Sequence, residues 1–333
     1  MTSLSGKKIA LFVSLIILLT LAGASGFGVT QLGHNEVWQC LMGECAQPIY
    51  QTILWQIRLP RVLLGFLAGF GLAVAGSLMQ NVTRNPLADP YLFGIVAGAG
   101  LGATLVSALP ANLLPQYLQA ISLPLAAFLG ALAAVVIVLM VLIKKNWQRS
   151  EHLLLAGVAV SFLLSSITSF ILYTGEAFSS NRVIFWLMGS LARAEPGVLM
   201  WILPVVLIAT LIALLLSRQL DALLLSDESA RSLGINVKQL RIITLILCAA
   251  ITAVIVSYCG GIGFVGLMIP HIVRPFVGLT TARLLLASGF IGGCFLVWVD
   301  VIARTALDGQ EIPIGVITSA MGSIFFLLLM RKM

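Results

Sequence analysis

The chain has 333 residues, of which 60% are hydrophobic and only 9% are charged, whereas soluble domains carry about 25% charged residues. A mean hydropathy of +1.09 over this length excludes a soluble globular protein and predicts an all-α polytopic membrane protein with one domain, residues 1–333. The net charge of +7 then reflects membrane topology and requires no nucleic-acid partner.

A spanning helix needs about 20 apolar residues, and apolar runs bounded by charges, proline or glycine predict ten of them. In chain order they lie near residues 9–27, 61–80, 91–109, 121–143, 152–173, 198–217, 241–258, 263–278, 285–304 and 313–330. The eighth segment is short and interrupted.

The first segment has two interpretations. Lys7 and Lys8 precede an apolar run that ends in the small residues LAGASG, which is typical of a secretory signal peptide. We favour an uncleaved first span, because the run is long for a signal core and its removal would leave nine spans. The loop that follows, residues 28–57, contains Cys40 and Cys45. The sequence leaves open whether these two form an external disulfide or remain free thiols.

Basic residues predict the orientation. With both termini in the cytoplasm, fourteen of the nineteen lysine and arginine residues fall on the cytoplasmic side, as the positive-inside rule expects. This topology places the loop 218–240 in the cytoplasm and a short amphipathic helix, residues 179–191, outside. The five basic residues that remain outside are Arg58, Arg61, Arg182, Arg193 and Arg304.

The sequence carries no pattern for chemistry of its own. It contains no G-x-x-x-x-G-K-[ST], G-x-S-x-G or H-E-x-x-H motif, and its histidines and cysteines match no zinc site, so we expect no metal, cofactor or enzyme activity in this chain. Asp300 is the main acidic residue within the predicted spans, which disfavours an ion-coupled secondary transporter. An intramembrane enzyme using His271, Arg274 and Asp300 is a further alternative, disfavoured because no reactive cluster is visible.

The loop 218–240 predicts a short helix on the cytoplasmic face. Ser226 can cap it, Asp227 and Glu228 suit the positive end of its dipole, and Gly234 can supply the left-handed residue that ends it. A turn and a second short helical start at Val237 follow. Such an element is either a docking site for a soluble partner or an interfacial linker, and the pattern alone does not separate the two.

The stretch GGIGFVGLMIPHIVRPFVG, residues 260–278, is apolar yet contains charged and helix-breaking residues. Glycines at its start, Gly263 among them, predict a tight reversal and close helix approach, and Pro270 interrupts the eighth span. His271 and Arg274 are three residues apart and share a helical face. Anchoring of the helix end by these two side chains is favoured over a direct role in transport.

The start of the fifth predicted span has a local explanation. Ser150 and Glu151 fit an ordinary N-cap with an acidic first turn. Farther along, Gly157 would let neighbouring helices approach closely and slide.

Six motifs resemble, in order, those of the FecCD family, the permease subunits of type II ABC importers for iron–siderophore complexes, haem and cobalamin. They are WQIRLPR (55–61), NPLADP (85–90), LLLAGVA (153–159), SARSLG (229–234), GGIGFVGLMIPHIVR (260–274) and EIPIGVITSAMG (311–322). The resemblance implies a ten-helix permease of the bacterial inner membrane, working with a second permease, identical or paralogous. It also implies two cytoplasmic ATPase subunits, which bind ATP and Mg, and a periplasmic substrate-binding protein. An iron chelate is the expected substrate, with cobalamin, haem and molybdate as alternatives.

The resemblance implies roles for particular residues. It places the cytoplasmic gate near Ser150 and Glu151, and it implies that acidic residues of the binding protein dock on Arg58, Arg61 and Arg304, since arginine is suited to bidentate contacts with carboxylates. Interfacial anchoring is the alternative for these arginines, and Arg304 can instead pair with Asp300, four residues away. The residues implied to couple to the ATPase are Asp227, Glu228, Ser229, Ala230, Arg231, Ser232, Leu233 and Gly234.

Overall fold

The computed structural model describes residues 16–17, 19–27, 33–45, 47–109, 115–143, 150–278, 280–307 and 309–331. Within these ranges the chain is helical, as predicted, and contains no strand. In chain order the helices are α1 (residues 19–26), α2 (His34–Leu41), α3 (Pro48–Thr52), α4 (Leu59–Thr83), α5 (Ile95–Ser107), α6 (Gln116–Ile143), α7 (Ser150–Thr174), α8 (Ala177–Leu187), α9 (Pro196–Leu215), α10 (Ser217–Leu225), α11 (Asp227–Ser232), α12 (Val237–Cys259), α13 (Val265–Val277), α14 (Thr281–Thr305) and α15 (Ile314–Met330).

Among the described residues, six helices are long and apolar enough to cross a membrane. They are Pro48–Thr83, Ile121–Val141, Leu154–Thr174, Pro196–Leu215, Val237–Cys259 and Thr281–Thr305. The third, eighth and tenth predicted spans correspond to the shorter apolar helices α5, α13 and α15. The beginning of the first predicted span lies outside the described residues, and its remainder contains α1.

The helix of the second span begins much earlier than predicted. A π-helical stretch, Ile53–Arg58, joins α3 to α4 without a break, so one helix of 36 residues runs from Pro48 to Thr83. The predicted external loop 28–57 is therefore partly helical. Within it, Cys40 and Cys45 form a disulfide, which decides the question left open by the sequence.

α4 lies at the centre of the bundle and packs against α14, α12, α13 and α9. Glycines permit these contacts: a methyl group on Gly76 would overlap the carbonyl oxygen of Gly266 in α13, and one on Gly69 would overlap that of Gly292 in α14. Backbone-to-backbone packing at small residues is how membrane helices gain van der Waals contact. The middle of α4 is consequently held close to α13 and α14.

The break between α12 and α13 is a buried turn, as the glycines predicted, but the residues that approach closely differ. Gly260 has φ +70° and lies against the carbonyl oxygen of Trp186, whereas a methyl group on Gly263 would make only an ordinary contact, 3.8 Å from Ser319 Oγ. The prediction of close approach at Gly263 is therefore wrong. Gly266, one helical turn farther along, makes that approach instead.

Two short helices occupy the predicted loop 218–240. α10 was not predicted, and the helical start at Val237 is the first turn of α12 itself, capped by Asn236 Oδ1 accepting from Gln239 N at 3.1 Å. The predicted helix at residues 179–191 is α8, which ends at Leu187 because Gly189 adopts φ +78°. The chain turns there to contact the α12–α13 turn.

Candidate functional site

Arg61, at the start of α4, joins two carboxylates. Its Nε and Nη2 donate to Asp300 in α14 at distances of 2.9 to 3.1 Å. Its Nη1 and Nη2 donate to the two oxygens of Glu311 at 2.7 and 2.9 Å. Each carboxylate therefore takes one bidentate edge of the guanidinium, the strongest geometry for such a pair.

Arg58 and Arg304 hold the end of α1 beside Arg61 and its two carboxylates. Arg58 Nη1 donates to the carbonyl oxygens of Ser25 and Gly26 at 3.0 and 3.1 Å, and Arg304 Nη2 donates to that of Ala24 at 2.8 Å. We call this set, together with Arg61, Asp300 and Glu311, the Arg61 cluster. The predicted pairing of Arg304 with Asp300 is confirmed, with 3.6 Å between Nε and Oδ2.

The arginines of the Arg61 cluster are buried: Arg58, Arg61 and Arg304 are 4%, 8% and 6% exposed. They bring three positive charges against two negative ones, so the cluster carries an excess positive charge. Their contacts within this chain are of the anchoring kind that the sequence left open as an alternative. Docking of a binding protein on these residues stays a prediction.

At the opposite end of α4, Asp227 ties three helices together. Its Oδ1 accepts hydrogen bonds from Nη2 of Arg84, which follows α4, and from Nη2 of Arg241 in α12, the latter at 2.9 Å. Arg84 Nε also donates to the carbonyl oxygen of Leu223 in α10 at 2.7 Å. The acidic first turn of α11 was explained by the helix dipole alone, but the structure adds these two ion pairs.

α11 itself has the predicted caps. Ser226 Oγ accepts from Ser229 N at 2.8 Å, and Gly234 closes the helix with φ +79°. Of the predicted coupling residues, Ala230 is buried and Ser229 and Asp227 are half-buried. The others are exposed: Glu228, Arg231, Ser232, Leu233 and Gly234.

The surface around α11 has apolar side chains without cover in this chain. Leu225 and Leu233 are 78% and 69% exposed at a bundle end that is otherwise rich in charge. Beside them lies a groove of about 660 Å³, whose lining includes Arg218, Gln239 and Ile243. We refer to residues 217–243 as the α11 element.

The α12–α13 turn is bonded to distant parts of the chain. Ile262 N donates to the hydroxyl of Tyr91 at 2.8 Å, and Ser190 N donates to the carbonyl oxygen of Cys259, also at 2.8 Å. Residues 188 and 189 in turn accept from the start of α15, where Ile314 N donates to Gly189 O and Gly315 N to Met188 O, both at 3.1 Å. Three turns thus meet at one place in the bundle.

The turn before α5 contains a buried carboxyl group. Asp89 Oδ1 accepts from Tyr91 N at 2.8 Å, which caps the 3₁₀ turn Pro90–Phe93. Burial raises the pKa of Asp89 to about 6, although the hydrogen bond from Tyr91 opposes the shift. Gly157 packs on this turn, since a methyl group there would overlap the carbonyl oxygen of Leu92.

His271 and Arg274 bind different neighbours although they share a helical face. Arg274 Nη2 donates to Gln80 Oε1 and Asn81 Oδ1 at 3.3 and 3.2 Å, near the end of α4. The His271 ring meets Phe325 in α15 edge to face, with 5.9 Å between centroids. Both contacts hold α13 against its neighbours, and Pro270 in the same helix is buried.

The remaining predicted site residues are Ser150 and Glu151. α7 begins at Ser150, but both side chains lie outside what the structure describes, so the gate prediction remains untested. Conversely, the sequence assigned no role to Glu311 and none to Arg84. The available signal for Glu311 was an acidic residue placed two positions before Pro313, directly ahead of an apolar run.

Comparison with known proteins identifies the family. The model of the FecCD transport family matches residues 13–332. The hemin transport system permease protein HmuU of Yersinia pestis is 35% identical over 96% of this chain and 94% of its own length. The Fe(3+)-citrate import system permease protein YfmE of Bacillus subtilis is also 35% identical, over 97% and 95%.

A third relative and one solved structure agree with this. The cobalamin import system permease protein BtuC of Halobacterium salinarum is 36% identical over 96% of this chain and 88% of its own length. A structure described as an inward-facing conformation of a metal-chelate type ABC transporter superposes with a TM-score of 0.86 at 30% identity, covering 98% of this chain and all of that one. The chain therefore belongs to the FecCD transport family, the permeases of ABC importers.

Proposed function

We propose that this permease moves an iron chelate across the bacterial inner membrane. A relative named for Fe(3+)-citrate and a similar structure described as metal-chelate type support this substrate class. A second candidate class follows from relatives of similar identity that are named for hemin, for cobalamin and for molybdate. The chain itself catalyses nothing, and ATP with Mg is bound by two separate ATPase subunits.

The structural observation that supports an ATP-driven importer is the α11 element. Leu225 and Leu233 present apolar surface at a bundle end, and Asp227 fixes α11 to α4 and α12 through Arg84 and Arg241. A partner that buries the two leucines would therefore push on two membrane helices through one rigid contact. We propose that this partner is an ATPase subunit, contacting residues 227–234.

The rest of the assembly follows from the same proposal. Two permeases, identical or paralogous, would form the path, with both termini of each in the cytoplasm and a gate near Ser150 and Glu151. A periplasmic binding protein would dock at the Arg61 cluster, where the excess positive charge favours acidic side chains. Alkaline phosphatase and fluorescent-protein fusions at residues near Arg331 test the orientation of the C-terminus.

Reconstituted transport tests the substrate class. Proteoliposomes containing the permease with its ATPases and binding protein are given ferric siderophores, haem, cobalamin or molybdate, and ATP-dependent uptake is measured. Uptake of a ferric siderophore supports the proposal, whereas uptake of only haem, cobalamin or molybdate supports the second candidate. Uptake driven by a proton gradient in vesicles containing this chain alone would show a secondary transporter instead.

Charge exchange tests docking at the Arg61 cluster. Arg58→Glu should weaken association with the binding protein and leave assembly with the ATPases intact, because the two contacts lie at opposite ends of the bundle. Acidic-to-basic changes on the binding protein should restore part of the association. Unchanged association of a correctly folded Arg58→Glu variant would show that Arg58 is an anchor only.

A further inference from the structure

The guanidinium of Arg61 has no bidentate edge left for another carboxylate. Asp300 occupies the edge formed by Nε and Nη2, and Glu311 occupies the edge formed by Nη1 and Nη2. An arginine offers two such edges, because its side-chain carbon blocks the third. An external acidic side chain can therefore grip Arg61 in bidentate fashion only if one of these two residues leaves.

The two carboxylates differ in how firmly they are held. The Asp300 side chain is 3% exposed and also contacts Arg304, whereas the Glu311 side chain is 42% exposed. Removing the charge partner of a buried carboxylate is strongly unfavourable. Water can reach the Glu311 carboxylate after it leaves Arg61, so its separation costs less than that of the buried Asp300. Glu311 is therefore the carboxylate that can leave Arg61 at the lower cost.

Glu311 lies in the connection between α14 and α15, residues 306–313, which is bonded to the centre of the bundle. Ile312 N donates to Ala303 O at 2.9 Å, and the next residues, Ile314 and Gly315, donate to the turn that follows α8. A methyl group on Gly315 would overlap the carbonyl oxygens of Gly261 and Met188. Movement of Glu311 thus acts directly on the start of α15 and on the α12–α13 turn.

We propose that, before docking, Glu311 occupies the edge of Arg61 that a carboxylate of the binding protein takes on docking. An acidic side chain of the binding protein thus replaces Glu311 on Arg61. After the exchange Arg61 still pairs with two carboxylates, and the α14–α15 connection is released. Docking would in this way change the constraint on α15 without any movement of α4. The inference rests on the proposed docking of the binding protein at the Arg61 cluster.

The first test is the affinity for a purified binding protein of the same transport system, measured with the permease–ATPase complex in nanodiscs. Glu311→Gln removes the internal competitor, so the dissociation constant should fall by about threefold, the size expected for one exposed ion pair. Glu195→Gln is the matched control, because Glu195 is an exposed acidic residue at the same end of the bundle. An equal effect of both variants, or a weaker affinity with Glu311→Gln, would overturn the proposal.

The second test follows the connection itself in the chain that keeps Glu311. Ile312 N donates to Ala303 O at 2.9 Å, so hydrogen–deuterium exchange at this amide reports whether the connection is released. Binding protein should raise the exchange rate of the Ile312 amide, whereas mere coverage of the surface would lower it. An exchange rate that binding protein lowers or leaves unchanged would contradict the release.

The tests separate this inference from docking at the Arg61 cluster. If Arg58→Glu leaves binding-protein association unchanged, docking at that cluster is wrong and the exchange falls with it. If Arg58→Glu weakens association but Glu311→Gln behaves like Glu195→Gln, docking stands and the exchange is wrong.

Discussion

Arg61 and Arg84 lie at the two ends of α4, and each binds a carboxylate carried by another helix, Asp300 in α14 and Asp227 in α11. The 25 residues of α4 correspond to about 37 Å of helix. One rigid element therefore connects the Arg61 cluster with the α11 element. We expect substitutions at the Arg61 end to affect the binding protein and substitutions at the Arg84 end to affect the ATPase subunit.

The end of α11 should be sensitive to backbone strain. Gly234 has φ +79° with no atom near the position of a side chain, so Gly234→Val should cost about 1 kcal/mol or more from the backbone alone. We expect loss of coupling between ATP hydrolysis and uptake, measured as uptake and as substrate-stimulated ATPase activity. Gly43→Val is the matched control, since Gly43 has φ +88° in equally open space and lies far from α11. Normal coupling in Gly234→Val at normal membrane levels would contradict this prediction.

Helix approach at α4 should not tolerate a methyl group. Gly76→Ala overlaps the Gly266 backbone, and we expect a loss of about 3 kcal/mol, the upper end for overpacking, or failure to fold. Gly263→Ala should be nearly neutral, because its methyl group would meet only Ser319 Oγ at 3.8 Å. The midpoints of thermal denaturation of the two variants in detergent, monitored by size-exclusion chromatography, are compared. Equal midpoints would show that α4 and α13 can separate without loss of stability.

Removal of Arg61 should destabilise the fold through Asp300. Arg61→Ala leaves the buried Asp300 carboxylate with a single cation at 3.6 Å, and losing one partner of a buried pair costs roughly 3–5 kcal/mol. Adding Asp300→Asn should recover part of this loss, because the buried charge is then gone. Arg193→Ala, an exposed arginine at the same end, serves as the control and should change stability little. If the double variant is no more stable than Arg61→Ala, the unpaired carboxylate is not the cause of the lost stability.

The buried Asp89 should make stability depend on pH. Its pKa of about 6 in the folded chain exceeds the value of about 3.9 for an unfolded aspartate. The folded state therefore binds the proton more tightly, and the contribution of Asp89 to stability increases as the pH falls from about 6 to about 4. Asp89→Asn keeps an oxygen for Tyr91 N and should remove this part of the pH profile of thermal denaturation. Identical profiles would contradict the prediction.

Local features of the fold could be predicted from the sequence. The Ser226 cap and the Gly234 end of α11 depend on residues within one or two turns, so their pattern is visible in the chain. The start of the second span at Pro48 was missed, because residues 48–58 include glutamine, threonine and arginine and lack the continuous apolar run of a spanning helix. The choice of Gly266 over Gly263 depends on which helical face meets α4, which spacing alone does not fix.

The charged contacts could be predicted only where they are local. Asp300 and Arg304 are four residues apart, and their pairing was foreseen. Arg61 and Glu311 are separated by 250 residues, so only the fold brings them together. For Asp227 a sufficient local explanation existed in the helix dipole, and nothing in the sequence pointed to Arg84 or Arg241 as partners.

The hold on α1 has a consequence for how the chain is made. Its last carbonyl groups bind Arg58, which follows Ser25 by 33 residues, and Arg304, which follows Ala24 by 280 residues. Because synthesis proceeds from the N-terminus, the ribosome adds the first of these cations early and the second only when most of the protein is already in the membrane. A nascent chain that stops before Arg304 would have α1 attached from one side, and such incomplete products would be open to quality-control proteases at that helix.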